Sequence, residues 1–240
     1  MPGLVNGLVF PPAPPLSTDE SQARIVASHE RLVQALIGES DAAAHLLVVS
    51  LLEAGVRAET LLDDAFPRAA RALGELWCAD DADFYTVTVA MTRLHRLVHE
   101  VSAPFLAEQA FPGSAGRVLL CGIDGEQHLL GLSILAEFLS RDGWDVHLLS
   151  AVPASVLLDK VRNADYNLIG FSVAVGDKVS RLRTTIQRVR QVSRNRDIRI
   201  LVGGLAITED PTLCARLGAD GSATDAPSTV REARRLRGTS

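Results

Sequence analysis

One histidine in this chain has neighbours suited to metal ligation. Glu126, Gln127 and His128, followed by Gly131, come shortly after the apolar run 117–123, which we predict to be a β-strand. A residue that follows a strand of a parallel sheet lies at the edge where such folds bind ligands. A neutral imidazole can ligate a metal through one ring nitrogen, while a carboxylate such as that of Glu126 orients the ring through the other. The pattern indicates a bound metallo-cofactor more than a reacting side chain.

Two further strand ends carry small residues. Ser172 ends the apolar stretch 167–172, and Gly203 and Gly204 end the stretch 198–204. The ends of the first, third and fourth strands of a doubly wound sheet can line one crevice, where a glycine pair lets the backbone approach a bulky ligand. Each feature also has an ordinary explanation: a tight turn for the glycines, a helix cap for Ser172 and a hydrogen-bonded loop residue for the histidine.

The elements that would position these residues alternate along the second half of the chain. Apolar runs begin at Arg117, Asp145, Asn167, Ile198 and Ala219. The helical stretches that follow them are 128–141, 153–164, 177–193, 208–216 and 227–237. Strands that alternate with helices predict a parallel sheet with right-handed crossovers. We therefore expect an α/β fold with a doubly wound, five-stranded parallel sheet over residues 117–237.

The first half has helical periodicity instead. From about residue 18 to residue 104 the apolar residues recur at helical spacing, which predicts a four-helix bundle over residues 19–108. Gly55 is predicted to end one helix, and the polar stretch 79–83 is predicted to join the last two. Residues 1–18, which include Pro11, Pro12, Pro14 and Pro15, are predicted to form a mobile arm.

Composition excludes several classes of function. The chain has 240 residues, a net charge of −5 and three widely spaced cysteines, a pattern that fits neither a disulfide framework nor a zinc site. No apolar run is long enough to cross a bilayer, so we expect a cytoplasmic protein without membrane contact. The arginine-rich segment 181–199 is interpreted as a solvated helix face; contact with an acidic partner or DNA phosphates is the alternative.

The order of these motifs carries a family resemblance. Residues 117–237 resemble the cobalamin-binding domain of methionine synthases, corrinoid methyltransferases and mutases, whose pattern is Asp-x-His-x-x-Gly, then Ser-x-Leu, then Gly-Gly. The resemblance implies a Rossmann-like cobalamin-binding domain with His128 as the lower axial cobalt ligand and Glu126 as its hydrogen-bonding partner. Gly131 would make room for the nucleotide tail of the cofactor. Two positions depart from the pattern, since Glu126 replaces the aspartate and Ala174 replaces the leucine.

The same resemblance implies that Ser172, Gly203 and Gly204 would line the slot that receives the nucleotide tail of the cofactor. The cofactor would be adenosyl-, methyl- or hydroxocobalamin.

The helical half resembles the lid of light- and redox-sensing cobalamin proteins. The shared features are Glu-Leu-Trp ending at Trp77, and Asp-Phe-x-x-Val-Thr, which contains Phe84 and Val87. Photoreceptor transcription factors of this group carry Glu-His where this chain has Val87 and Thr88, so their upper histidine is missing here. The pattern is closer to the AerR/PpaA antirepressors of purple bacteria and also resembles related haem-binding sensor domains. Bundle core is the alternative interpretation of Trp77, Phe84 and Val87.

These resemblances together imply a light- or redox-responsive antirepressor that is not an enzyme. It would bind a repressor protein and contact DNA only through that partner. The alternatives are a haem sensor of the same fold, with His128 on the iron, and a corrinoid methyl carrier. Four further histidines could act as a second axial ligand, although surface or interhelix positions are more typical of each: His29, His45, His95 and His99.

Overall fold

The computed structural model describes residues 14–108, 114–122, 129–150, 152–173 and 179–238. The chain divides into two compact units, Met1–Pro104 and Phe105–Ser240. Among the described residues, no helix combines the length and the apolar character needed to span a membrane.

The first unit consists of helices joined by short turns. Helix α1 is followed by α2, and a continuous helical stretch then comprises α3, a π-helical turn and α4. The elements are α1 (Thr18–Ile37), α2 (Asp41–Glu53), α3 (Ala58–Thr60), the π-helical turn (Leu61–Ala65), α4 (Phe66–Cys78) and α5 (Phe84–Glu108). In the described residues this makes four helical segments, as predicted, with the 79–83 turn between the last two.

The start of α1 is fixed to the turn after α2. Ser17 caps α1, because its hydroxyl accepts from the Glu20 amide while the Glu20 carboxylate accepts from the Ser17 amide. The amide of Leu16 donates to the carbonyl of Gly55 at 2.8 Å, and Gly55 has a φ of +87°, the left-handed conformation that favours glycine. The arm predicted over residues 1–18 is therefore wrong for residues 14–18, and residues 1–13 lie outside the described residues.

A buried arginine links α5 to the turn between α1 and α2. Arg93 is 8% exposed, and its guanidinium donates to the carbonyls of Leu36 at 2.7 Å and Gly38 at 2.5 Å. Its Nε also donates to Asp41 Oδ1 at 2.8 Å. These hydrogen bonds satisfy carbonyls at the end of α1, which have no partner within that helix.

The second unit is a parallel sheet with helices on both faces. Among the described residues the strand order is β2-β1-β3-β4-β5, and all neighbouring pairs are parallel. The strands are β1 (Gly116–Gly122), β2 (Trp144–Leu149), β3 (Leu168–Ser172), β4 (Arg199–Gly203) and β5 (Gly221–Ala223). The helices after α5 are α6 (Leu130–Arg141), α7 (Ala154–Asn163), α8 (Val179–Val192), α9 (Leu205–Glu209), α10 (Leu213–Leu217) and α11 (Ala226–Arg237). The predicted five-stranded, doubly wound parallel sheet is confirmed.

Alternate residues of each central strand face opposite layers of helices. In β1, Leu119 and Cys121 pack with residues of α7, α8, α9 and α10, whereas Val118 and Leu120 pack with residues of α6 and α11. Both sets are buried, which explains why β1 is an uninterrupted apolar run.

One helix prediction was wrong. The stretch 208–216 was predicted as one helix, but the structure has α9 and α10 separated by residues 210–212. Pro211 has no amide proton, and the side chain of Asp210 accepts hydrogen bonds from the amide and hydroxyl of Thr212. Because of these local hydrogen bonds, α9 ends at Glu209 and α10 begins only at Leu213.

Candidate functional site

The ends of three strands meet at one edge of the sheet. Gly122 of β1 is the register partner of Ser172 of β3, and Ser172 is the partner of Gly203 of β4. The order of the strands changes direction between β1 and β3, which is where ligands bind in sheets of this topology. The predicted convergence of the first, third and fourth strand ends is confirmed.

The paired glycines have a structural reason within the chain. Gly204 has a φ of +100°, and a β-carbon there would lie 2.6 Å from the carbonyl oxygen of Val173. A β-carbon on Gly203 would lie 2.8 Å from the carbonyl oxygen of Ala223. Neighbouring backbone therefore occupies the space that a side chain would need, which supports the tight-turn interpretation of the pair. A ligand contact at these glycines stays a prediction.

Gly131 differs from that pair. It lies in the first turn of α6 and is exposed, and a β-carbon there would meet no described atom within 4 Å. This open space fits the predicted role of Gly131 in making room for a ligand. Four other predicted site residues lie outside the described residues: Glu126, Gln127, His128 and Ala174.

A cavity of about 580 Å³ opens beside the strand ends. Gly122 and Phe171 of the sheet border it, together with residues before and within α7 and at the start of α8. The latter are Val152, Ala154, Leu157, Ser180, Arg181, Leu182, Thr184 and Thr185. The sequence assigned none of these to the cofactor site, and Arg181 only to the arginine-rich segment, although Val152 follows a predicted strand and so belongs to the same edge. Leu205, directly after the paired glycines, is 59% exposed.

The helical unit exposes three aromatic side chains around the turn between α4 and α5. Trp77 is 55% exposed, Phe84 is 73% exposed and Tyr85 is 75% exposed. The bundle-core interpretation is therefore wrong for Trp77 and Phe84, whereas Val87 is partly buried. Tyr85 was not among the predicted site residues, because it occupies a variable position of the motif that singled out its neighbours.

Asp83 fixes the direction in which α5 leaves that turn. Its carboxylate accepts a hydrogen bond from the amide of Thr86 at 2.7 Å, which satisfies a donor at the start of the helix. Hydrogen bonds from the Thr86 side chain and amide lower the pKa of Asp83, so the cap stays ionised well into the acid range. The cap holds the first turn of α5, where Phe84 and Tyr85 are exposed.

The remaining histidines of the helical unit have different surroundings. His45 Nδ1 lies 2.8 Å from Glu100 Oε2, and burial lowers the pKa of His95. His29 has a buried Nδ1 without a hydrogen-bonding partner, and His99 is exposed. Within the described ranges, no three His, Cys, Asp or Glu side chains are grouped closely enough to hold a metal ion. The structure does not bring these histidines together as a ligand set.

The thiol beside the strand ends has the properties of a core residue. Cys121 is 1% exposed, and burial raises the pKa of its thiol. A thiol that stays protonated is a poor nucleophile. Cys121 therefore packs the sheet and offers no reactive group to the cavity.

Residues 116–233 match the family model of the B12 binding domain. The chain is 29% identical over 175 residues to the uncharacterized 20.5 kDa protein in the bchF-crtJ intergenic region of Rhodobacter capsulatus, which covers 73% of this chain and 91% of that protein. It is 26% identical over 115 residues to dimethylamine corrinoid protein 1 of Methanosarcina mazei, covering 48% of this chain and 52% of that protein. This chain thus spans about half the length of that corrinoid protein.

A solved structure has the same fold. The monomethylamine corrinoid protein of Methanosarcina barkeri superposes with a TM-score of 0.72 at 17% sequence identity, covering 90% of this chain and 99% of that one. The family match begins at the first residue of β1 and ends within α11, so it takes in the sheet and its helices. Residues 116–233 of this chain therefore belong to the B12 binding domain family.

Proposed function

We propose that this protein is a cobalamin-binding, light- or redox-responsive antirepressor that acts by binding a repressor protein. The observation that carries the proposal is the exposure of Trp77 and Phe84 on a helical unit attached to a B12 binding domain. The motif around these residues resembles that of the antirepressor group. The similarity to the Rhodobacter capsulatus protein, which extends over 91% of that protein, is a further support.

The described site fits cobalamin in two respects. The ends of β1, β3 and β4 lie side by side, and Gly131 at the start of α6 leaves open space beside this edge. His128 would hold the cobalt, and Glu126 would orient its imidazole ring. Bound cobalamin would supply a cobalt centre whose alkyl ligand is lost on illumination. Ser172 and the paired glycines would lie along the nucleotide tail.

The exposed aromatic side chains are suited to a flat, largely apolar macrocycle. The indole of Trp77 exposes a large apolar surface to solvent, which is unfavourable, and a ligand that stacks on the ring would bury that surface. Several large exposed apolar groups in one place are typical of an interaction site. We propose that Trp77, Phe84 and Val87 contact the cofactor, which makes them the residues that sense its upper ligand.

The response to light requires two states with different affinities for the partner. A cofactor can shift the protein between states only if it interacts differently with each of them. Trp77 would interact differently with the cofactor before and after illumination, and the repressor would then bind one of the two states more tightly. The test is therefore a comparison of partner binding before and after illumination.

The first experiment is absorption spectroscopy of the purified chain after incubation with adenosyl-, methyl- and hydroxocobalamin, in darkness and after illumination, followed by desalting. Retained cobalamin with a light-dependent spectrum is the expected result. His128→Ala should lose the retained cobalamin while keeping its circular dichroism spectrum. The matched control is His147→Ala, which removes a partly exposed histidine of β2 that neither ligand hypothesis uses. Retention equal to that of the unmodified chain in His128→Ala would refute the ligand assignment.

The second experiment tests the aromatic surface. Trp77→Ala should change the spectrum of the bound cofactor and its light response, because it removes a contact to the upper face. It should leave stability nearly unchanged, because Trp77 is 55% exposed. Leu46→Ala is the control, since Leu46 is 62% exposed on α2. An unchanged light response in Trp77→Ala would contradict a role for this side chain.

A corrinoid methyl carrier is the second candidate, favoured by the similarity to dimethylamine corrinoid protein 1. Such a protein would retain methylcobalamin equally in darkness and after illumination. It would pass the methyl group to a methyltransferase. A haem sensor is the remaining alternative. It would retain no corrin after desalting but would show a Soret band on addition of haemin.

A further inference from the structure

Helix α8 has a strongly basic outer face. Val179–Val192 contains four arginines and neither aspartate nor glutamate. Arg190 is neutralised by Asp220, whose Oδ2 lies 2.9 Å from its Nη2. Arg181, Arg183 and Arg188 are exposed, and none has a hydrogen bond or an ion pair in the part of the chain that the structure describes. Three guanidinium groups on one helix thus remain open to an anionic partner.

A groove between α8 and α10 borders one side of this face, the side of Arg183, whereas Arg181 lies on the other side and borders the cavity beside the strand ends. Its volume is about 850 Å³, and its lining includes the polar residues Ser180, Arg183, Thr184, Gln187 and Arg216. Arg216 also pairs with Asp210 at 3.1 Å, so Arg183 is the cation of the groove that lacks a described acidic neighbour. Arginine, hydroxyl and amide donors are the side chains that bind phosphate oxygens in nucleic-acid complexes.

The composition of the face favours a phosphate backbone over a protein surface. No described residue of α8 is among the exposed large hydrophobic side chains of the molecule. Protein interfaces depend on apolar and aromatic anchors, whereas nucleic-acid interfaces are more polar and much more positive. A face with arginines and neutral donors but no apolar anchor fits the second type.

The two units differ in net charge, and the unit that contains α8 is the positive one. Residues 1–104 contain 7 Lys and Arg against 14 Asp and Glu, whereas residues 105–240 contain 17 against 15. The net charge of −5 is thus the sum of −7 in the first unit and +2 in the second. Exposed charges more than about 10 Å apart are largely screened at physiological salt. The excess of positive charge on α8 itself therefore decides what binds there.

We propose that the outer face of α8 and the adjoining groove bind the sugar–phosphate backbone of nucleic acid without reading its sequence. This goes beyond the proposed function, in which DNA is reached only through the repressor. Direct backbone contact would add affinity to a complex of antirepressor, repressor and DNA through counterion release. It does not depend on cobalamin.

The test is fluorescence anisotropy with the full chain and a labelled random-sequence duplex of roughly 30 base pairs, over about 50–200 mM salt. The variant is Arg181→Gln, Arg183→Gln and Arg188→Gln together. The control is Arg24→Gln, Arg31→Gln and Arg71→Gln, which removes the same charge from exposed positions of the helical unit. Circular dichroism melting checks that both variants fold.

With three phosphate contacts, the slope of log affinity against log salt is expected to be about −2.7, so affinity falls about 40-fold between 50 and 200 mM. The α8 variant should lose this slope and most of the affinity, and the control should keep both. Three results would overturn the proposal: no binding to the duplex at 50 mM salt, equal losses in both variants, or tighter α8-dependent binding to polyglutamate than to the duplex. The last would indicate an acidic protein partner.

Discussion

Replacement of Gly204 by alanine should destabilise the α/β unit strongly. A β-carbon there would lie 2.6 Å from the oxygen and 2.8 Å from the nitrogen of Val173, and neither backbone atom can rotate away. Val173 is itself held from both sides, because its amide donates to the Gly203 carbonyl at 2.9 Å and its carbonyl accepts from the Ala206 amide at 3.1 Å. Relief of the contact would therefore disturb the hydrogen bonds that join the ends of β3 and β4.

The magnitude follows from two costs. A residue other than glycine in the left-handed region costs about 1–2 kcal/mol, and Gly204 has a φ of +100°. Forcing an extra carbon into a filled space costs about 1–3 kcal/mol more. The free energy of unfolding should fall by about 2–5 kcal/mol. At an m-value near 2 kcal/mol/M, the urea midpoint should fall by about 1–2.5 M.

The assay uses one tryptophan as a reporter. The chain has two, of which Trp77 is exposed and Trp144 is 5% exposed in the α/β unit. In a Trp77→Phe background, the fluorescence of Trp144 follows urea unfolding of that unit alone. Near-coincidence of this transition with a transition in the far-ultraviolet circular dichroism of the whole chain would support a two-state treatment.

Gly131→Ala is the matched comparison. It adds the same carbon where no described atom lies within 4 Å, and alanine is a better helix former than glycine by up to about 1 kcal/mol. It should leave stability unchanged or slightly raised, and it should reduce cobalamin retention if the space receives the ligand. A Gly204→Ala variant as stable as the parent would refute the reasoning from the Val173 contact, as would equal destabilisation by both substitutions.

Three further outcomes are expected. Arg93→Met should lower the free energy of unfolding of the helical unit by roughly 3 kcal/mol, because it removes a buried charge with three hydrogen-bonded partners. The control, Arg96→Met, should cost little because Arg96 is exposed, and equal urea midpoints for the two variants would contradict the reasoning. Asp142→Asn should cost the α/β unit about 1–2 kcal/mol, since its buried carboxylate accepts from an arginine of α11, and an unchanged midpoint would count against that pair. The hydrogen bond from Arg235 lowers the pKa of Glu232, so the stabilisation is complete above pH 4.5 and is lost as the pH falls through the lowered value; Glu232→Gln should therefore be less stable than the parent at neutral pH, and the difference should shrink as the pH of the melts is lowered below 4.5.

The sequence predicts the fold well where burial is two-sided. The runs that begin at Arg117, Asn167 and Ile198 became the central strands, because each packs against helices on both faces and so shows as continuous apolar sequence. The prediction of one helix over residues 208–216 was wrong, because a helical pattern of apolar residues does not reveal that the Asp210 side chain accepts a hydrogen bond from Thr212 across a proline.

The site was less predictable because its determinants are neighbours across strands. Gly203 and Gly204 were interpreted as openings for a ligand, yet their β-carbon positions face Ala223 and Val173, which are distant in sequence from the two glycines. The exposure of Phe84 could not be predicted either, because an apolar residue at helical spacing is compatible with the core and with the surface. Only the packing of the other helices decides which face α5 buries.

The hydrogen bond between Leu16 and Gly55 has a practical consequence for shortened versions of this protein. Removal of residues 1–13 leaves the Leu16 amide, the Ser17 cap and the contact of Pro14 with Gly55 intact. Removal of four more residues would deprive α1 of its cap and leave the Gly55 carbonyl without its partner. A version that begins at residue 18 should therefore melt at a lower temperature in its helical unit than a version that begins at residue 14, which keeps the Ser17 cap and the bond from Leu16 to Gly55.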